Sequence, residues 1–284
     1  ISFDEFVLKK DESKFQKKPN IKKGLINNLD NYLIDIEKDY FLKNNFTSWT
    51  RSHGGYSNLK FNTSNQITPS TAKRLKLFWK YDADFHKKNW KVNVETNPIF
   101  YDGIIYSVTA DHKLIALDVL NKKLKWQIQS PKVIAKRGFL IDTNDKSSPQ
   151  IFTPIGKKIF KINAKDGKIN ETFGINGSIN FFTLVTPFIF NEKICAAGLR
   201  KINCFDKISG KEIFSINLHN KEDRGGNVWG GVAFDIDTGY AYVVTGNPRP
   251  ALIGVNRKEK NKNANSIIAV SLKEKKIVWK FQDI

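Results

Sequence analysis

A hydrophobic strand, a polar turn carrying Asp or Asn with Gly or Lys, and a second strand ending in an aromatic residue recur four times along this chain. The copies are Ile115–Asp118 leading to Trp126, Phe160–Asn163 leading to Phe173, Asn203–Asp206 leading to Phe214, and Ile268–Ser271 leading to Trp279. Their turn positions, Asp118, Asn163, Asp206 and Ser271, step by 45, 43 and 65 residues. A unit of about 45 residues holds four short strands, the size of one propeller blade. Two loops, at roughly 215–227 and 248–264, absorb the longer third step, and loops of that length on a compact repeat are usually functional. The pattern predicts an all-β fold built of four-stranded blades.

Residues 1–45 follow a different pattern. They are rich in Lys, Asp and Asn, and Leu25, Leu29, Leu33 and Ile36 recur at helical intervals. They predict an amphipathic helix over roughly 23–41, preceded by a basic arm. The chain therefore divides into an N-terminal extension, 1–45, partly helical, and a β region, 46–284. A membrane-surface role is a secondary reading of that helix.

The densest stretch is Gly225–Pro250, GGNVWGGVAFDIDTGYAYVVTGNPRP. Val232–Asp235 and Tyr240–Val244 read as a hairpin closed by Asp237-Thr238-Gly239. Trp229, flanked by glycines, reads as lying in a turn where small neighbours allow a flat ligand to approach. Thr245-Gly246-Asn247-Pro248 places an amide at the far mouth of the hairpin. Trp229 and Asn247 are thereby expected to face one cavity.

Composition narrows the classes. With 284 residues and 40% hydrophobic content the chain can bury a sizeable core. The net charge of +19 raises nucleic-acid binding, but the lysines are scattered singly on turns rather than gathered on one face. No apolar run reaches about 18 residues, which excludes a membrane-spanning helix. No signal peptide is visible; the chain begins with Ile1 and contains no Met, as a processed product or part of a longer reading frame would. Cys195 and Cys204 lie in one hairpin, where they read first as two small buried hydrophobes and second as a disulfide. Their spacing excludes a CxxC motif.

The W-G-G, D-x-x-T-G and T-G-N-P elements, eighteen residues from Trp229 to Asn247, resemble those of the quinoprotein dehydrogenases, which use pyrroloquinoline quinone (PQQ). So do Gly54, Ser57 and Gln66-Ile67-Thr68-Pro69, which lead into an expected strand over Leu75–Tyr81, and the repeat itself is similar to that family's tryptophan-docking motif. The resemblance implies about half of an eight-bladed propeller, an N-terminal portion. It implies that Trp229 is the floor under the quinone and that Asn247 is a Ca²⁺ ligand. Glu95, in Val94–Pro98, matches a glutamate that hydrogen-bonds the quinone. Arg137, in the loop Val133–Leu140, matches an arginine that pairs with a PQQ carboxylate, and Thr153 matches a hydroxyl that reaches a PQQ oxygen.

The departures are equally specific. The chain has no adjacent cysteine pair, and Ala196–Arg200 lacks the acidic calcium ligand found in the family's alcohol-oxidising branch. The missing cysteine pair and Gly254-Val255-Asn256-Arg257 lean towards the glucose and polyol branch. The family's catalytic aspartate would fall just after Ile284, and Asp283 is not it. The implied activity is a periplasmic oxidation of an alcohol, polyol or aldose, with electrons passing to a cytochrome c or a membrane quinone. Membrane association would come through the N-terminal part or through parts outside this sequence. The reading from another class is a cofactor-free propeller scaffold like the outer-membrane assembly lipoproteins.

Overall fold

The computed structural model describes residues 48–56, 58–61, 67–83, 94–219, 225–250, 253–255, 257 and 262–283. All lie in one compact unit, Thr47–Ile284. The helix expected over 23–41 falls outside the described residues.

Among the described residues, four antiparallel sheets of four strands each follow one another along the chain. Blade 1 is β1 (Ile99–Tyr101), β2 (Ile104–Val108), β3 (Lys113–Asp118) and β4 (Lys123–Gln129). Blade 2 is β5 (Leu140–Asp142), β6 (Gln150–Ile155), β7 (Lys158–Asn163) and β8 (Ser178–Asn180). Blade 3 is β9 (Phe188–Phe190), β10 (Lys193–Ala197), β11 (Lys201–Asp206) and β12 (Glu212–Asn217). Blade 4 is β13 (Val228–Asp235), β14 (Tyr240–Thr245), β15 (Ser266–Ser271) and β16 (Lys276–Gln282).

The repeated turn residue ends the third strand of every blade, for a local reason. Its side chain accepts a main-chain N–H a few residues on, which bends the backbone out of the ladder. Asp118 takes the N–H of Asn121 at 2.9 Å, Asn163 that of Lys165 at 2.8 Å, Asp206 that of Ser209 at 2.7 Å, and Ser271 that of Glu274 at 3.1 Å.

Strand alternation then joins the blades. Ile151 packs with Ile99, Leu114 and Ala116 of blade 1, whereas its neighbour Phe152 packs with Ile189, Ile194 and Phe205 of blade 3. A third apolar cluster fills the seam between blades 3 and 4, from Phe188 and Ile202 to Phe234, Val243 and Ile268. Each seam buries side chains from two successive sheets, so the four sheets are consecutive blades of one propeller. Trp126 fixes the first seam, donating its indole N–H to the Ala164 carbonyl at 2.9 Å. The fourth strands β4, β12 and β16 are largely exposed, and Val244, Ile267, Trp279 and Phe281 remain open on blade 4.

Four local expectations need correction. Phe173 does not end a strand: its ring is drawn into the seam between blades 2 and 3, edge-on to Phe152 at 5.5 Å, and β8 begins only at Ser178. Leu75–Tyr81 forms no strand, because no neighbouring strand among the described residues takes its backbone hydrogen bonds. It follows a short helix, α1 (Pro69–Ala72), capped by Thr68, and leaves Leu75, Leu77 and Phe78 exposed. The loop bounds shift, since β12 continues to Asn217 and β13 starts at Val228, while β14 ends at Thr245 and β15 starts at Ser266.

The fourth correction concerns the cysteines, which form a disulfide. Cys195 and Cys204 are directly opposed across β10 and β11 with Cα atoms 4.1 Å apart, close enough for a cross-strand bridge. Closing a loop of this length removes unfolded-chain entropy worth about 2.5 kcal/mol. The double substitution Cys195→Ala and Cys204→Ala is expected to lower stability by about 2 kcal/mol, read from the urea midpoint. An unchanged midpoint would mean that the bridge contributes nothing beyond two small buried side chains.

Candidate active site

Residues 49–56 cross the first strands of the propeller and bind several blades together. Trp49 exchanges main-chain hydrogen bonds with Phe100 of β1 at 2.6 and 3.0 Å. The Thr50 carbonyl accepts the N–H of Ile141 of β5 at 2.8 Å, Ser52 N–H donates to the Phe139 carbonyl at 3.2 Å, and the Tyr56 carbonyl accepts from Phe234 of β13 at 2.8 Å. Arg51, only 2% exposed, donates to the carbonyls of Pro187 (3.1 Å), Thr186 (3.3 Å), Val232 (3.1 Å) and Gly55 (3.0 Å), and to the Asn58 side chain. Burial pulls its pKa down to about 10, so the guanidinium is still charged at neutral pH.

Over this brace three of the sequence-derived site residues meet. Arg137 lies in the loop between β4 and β5, and its Nη2 donates to Glu95 Oε2 at 2.7 Å. Its guanidinium carbon stands 5.0 Å from the centre of the Trp229 ring, a cation–π distance. The Arg137 Nε is buried and finds no hydrogen-bond partner among the described residues. Trp229 remains 48% exposed, so much of its indole is open. The assembly is thus an ion pair set against an accessible aromatic surface.

Trp229 was expected in a turn, but it lies within β13. A bulge between Val228 and Val232 sets Trp229, Gly230 and Gly231 against the single residue Val244 of β14, which frees the indole from the ladder. Gly246 lets the end of β14 close on that ring: a Cβ there would overlap the indole Nε1. Asn247 follows directly and is exposed. Thr153, on β6, is set apart in environment. It is fully buried, and its hydroxyl finds no partner among the described residues.

One residue at this site went unmarked in the sequence. His53 is half-buried, and its Nδ1 finds no hydrogen-bond partner among the described residues. The available signal was a lone histidine in the Arg51–Gly55 run beside a cofactor-like pattern. Burial, then the positive charges of Arg51 and Lys60, push its pKa down to about 4. The folded protein therefore resists a proton that the unfolded chain accepts near pH 6.5. This contribution is fully present above about pH 6.5 and is lost as pH falls towards 4. His53→Gln is expected to flatten the decline in melting temperature between pH 7 and 4.5. Identical profiles for the two proteins would contradict the assignment.

Among the described residues no group of three or more His, Cys, Asp or Glu side chains could hold a metal ion. Glu95 is engaged with Arg137, and Ala197–Gly198, where β10 ends, adds no acid. An open groove of about 760 Å³ between blades 1 and 2, lined by Gln127, Ile128 and Gly167–Glu171, contains none of the residues that meet at Arg137.

The family described as "PQQ: Glucose/ethanol/alcohol dehydrogenase, beta-propeller domain" matches residues 49–192 and 204–284. The dehydrogenase subunit of a quinone alcohol dehydrogenase from Gluconobacter oxydans (strain 621H) is 25% identical, with 83% of this chain and 37% of the relative covered. Quinoprotein glucose dehydrogenase A of Acinetobacter calcoaceticus is 24% identical, covering 83% and 38%. The chain thus spans less than two-fifths of these relatives. The quinohemoprotein alcohol dehydrogenase of Comamonas testosteroni shares the fold with a TM-score of 0.67 at 19% identity, over 83% of this chain and 41% of that one. A europium-containing methanol dehydrogenase does so with a TM-score of 0.63 at 18% identity, over 83% and 48%. By the extent of the family match, this chain belongs to the PQQ-dependent glucose/ethanol/alcohol dehydrogenase β-propeller family.

Proposed function

We propose that this chain forms the cofactor-holding part of a PQQ-dependent dehydrogenase that oxidises an alcohol, polyol or aldose. The observation that carries the reading is the meeting of Glu95, Arg137 and Trp229, from three separate segments, at one half-open surface. A propeller serving only as a scaffold has no need to hold an ion pair against an accessible indole.

PQQ is flat and carries three carboxylates, and the residues present suit both features. Trp229 offers a stacking face for the ring system. Arg137 offers a planar fork for a carboxylate, with its Nε in want of an acceptor. Glu95 orients the guanidinium and presents a carboxylate edge to the cofactor. Thr153 would add a hydroxyl and Asn247 an amide. When bound, the cofactor supplies the redox step, taking up the hydrogen lost by the substrate carbon. These side chains hold and orient it, and none of them is assigned as the general base.

The metal fits less well. Calcium asks for six to eight oxygens, mostly carboxylate and carbonyl. Asn247 would contribute one, and the described residues hold no acidic cluster beside it. No step is assigned to the metal here. A periplasmic setting and an acceptor of the cytochrome c or membrane-quinone type complete the reading, as the family resemblance implies.

The test is dye-linked turnover by the protein as its reading frame encodes it, with PQQ added and with primary alcohols, polyols and aldoses as donors. PQQ-dependent reduction of the dye with at least one class is expected. A protein that binds PQQ yet turns over none of them would count against the dehydrogenase reading and return the propeller to a scaffold role.

A further inference from the structure

The two long loops, one after β12 and one after β14, both lead into strands of blade 4, and their bases close on the main chain of Gly246 and Asn247. On one side Gly226 N–H donates to the Asn247 carbonyl at 2.9 Å, and Gly246 N–H donates to the Asn227 carbonyl at 3.0 Å. On the other side Asn265 N–H donates to the Gly246 carbonyl at 2.9 Å. The segment that carries the exposed Asn247 side chain is therefore held between two flanking stretches of loop.

Two buried side chains fix those flanks. His219, 9% exposed, stands at the start of the first loop, with its Nε2 2.8 Å from the carbonyl of Gly226 near the loop's end. A carbonyl can only accept, so Nε2 carries the proton and donates it. The ring also fills the space beside residue 226. A Cβ on Gly226, where φ is +64°, would overlap His219 Cε1 and press on Ala264. Asn263, 7% exposed, secures the second loop. Its Nδ2 donates to the Leu218 carbonyl, its Oδ1 accepts from Lys280 Nζ and its own carbonyl accepts from the Thr245 hydroxyl, each at 2.6 Å.

We propose that His219 is a positioning residue for the cofactor site, holding Gly226, and through it the main chain of Asn247, so that the Asn247 amide is presented to the ligand at a fixed distance from Trp229. The proposal rests on the PQQ reading for its ligand and on these hydrogen bonds for its mechanism. An amide carried on irregular backbone loses affinity if that backbone must be ordered on binding, and a brace made before the ligand arrives removes the cost. His219 acts only through the main chain.

A double-mutant cycle on PQQ affinity tests this in the protein as its reading frame encodes it. His219→Ala is expected to bind about tenfold more weakly, as removal of a supporting hydrogen bond around a ligand site commonly does. His219→Gln, which keeps a donor of similar reach, is expected to recover most of that loss. Asn247→Ala is expected to lose about tenfold through its own missing hydrogen bond. The double variant should then lose about tenfold in all, because His219 has nothing left to position, whereas independent effects would multiply to about a hundredfold. Multiplying losses overturn the proposal, and so does unchanged affinity in either His219→Ala or Asn247→Ala.

A second readout needs no cofactor. Gly246 lies against the Trp229 indole nitrogen, so a shift of this segment alters the surroundings of the ring. The emission of Trp229, taken as the difference between each protein and its Trp229→Phe counterpart, is expected to shift in His219→Ala and to return in His219→Gln. If the wild type binds no PQQ, the cofactor reading fails while this measurement still decides the positioning role. An unchanged emission in His219→Ala would overturn it.

Discussion

Arg137→Ala is expected to weaken PQQ binding by about two orders of magnitude while leaving the fold intact. A hydrogen bond to a charged group contributes about 1.5–3 kcal/mol, and a guanidinium fork can make two to one carboxylate. A loss near 2.7 kcal/mol corresponds to about a hundredfold in Kd. The substitution also leaves the Glu95 carboxylate without its cationic partner, facing an anionic ligand across the same surface. Arg137 is itself partly exposed, with 30% of its side chain accessible, and stability should hardly change. Equilibrium titration decides the matter. Binding within about threefold of wild type would remove Arg137 from the site.

The second large effect concerns the brace beneath the site. Arg51→Met is expected to cost about 4 kcal/mol of stability, or to prevent folding outright, because it strips donors from carbonyls in several segments at once. Pro187, Thr186 and Val232 would each lose a buried partner, and Gly55 a partly buried one. An unsatisfied buried acceptor costs about 1–3 kcal/mol, partly relieved where water or a shifted main chain can reach it. The opposing term is the desolvation of an unpaired guanidinium, visible in the lowered pKa of Arg51, which the methionine would relieve. Four lost acceptors outweigh that relief. The denaturant midpoint of the methionine variant reads the balance, and an unchanged midpoint would mean that the charge is a burden rather than a brace.

The fold was legible because its signal is local and repeated. Asp118, Asn163, Asp206 and Ser271 each end a strand through a side-chain hydrogen bond to the next turn, which the sequence states outright. Phe173 was misread because an aromatic at the right spacing looks the same whether it closes a strand or plugs a seam. Its fate is set by Phe152, twenty-one residues away in sequence and 5.5 Å away in space. The cysteine pair was read first as two small buried hydrophobes, and only the register, which sets Cys195 opposite Cys204, decides for the bridge.

The site was legible in part. Glu95, Arg137 and Trp229 each sit in a recognisable motif, and their meeting was implied by resemblance before any contact was known. The bulge that releases Trp229 from its strand was not readable, because the W-G-G run suits a turn equally well. Arg51 escaped for a different reason. Its partners include main-chain carbonyls of residues as distant as Thr186, Pro187 and Val232, and a carbonyl leaves no mark in sequence. A buried arginine that binds only amide oxygens has no acidic partner whose spacing could announce it.

The central claim is that PQQ lies against Trp229 in the grip of Arg137. Fluorescence titration of PQQ into the wild type and Trp229→Ala tests it most directly. A saturable quench is expected in the wild type, and in the variant most of that quench should vanish as binding weakens by about tenfold, the order expected for one lost stacking contact. An equal quench and equal affinity in Trp229→Ala, or no saturable binding by a folded wild type, would contradict the account.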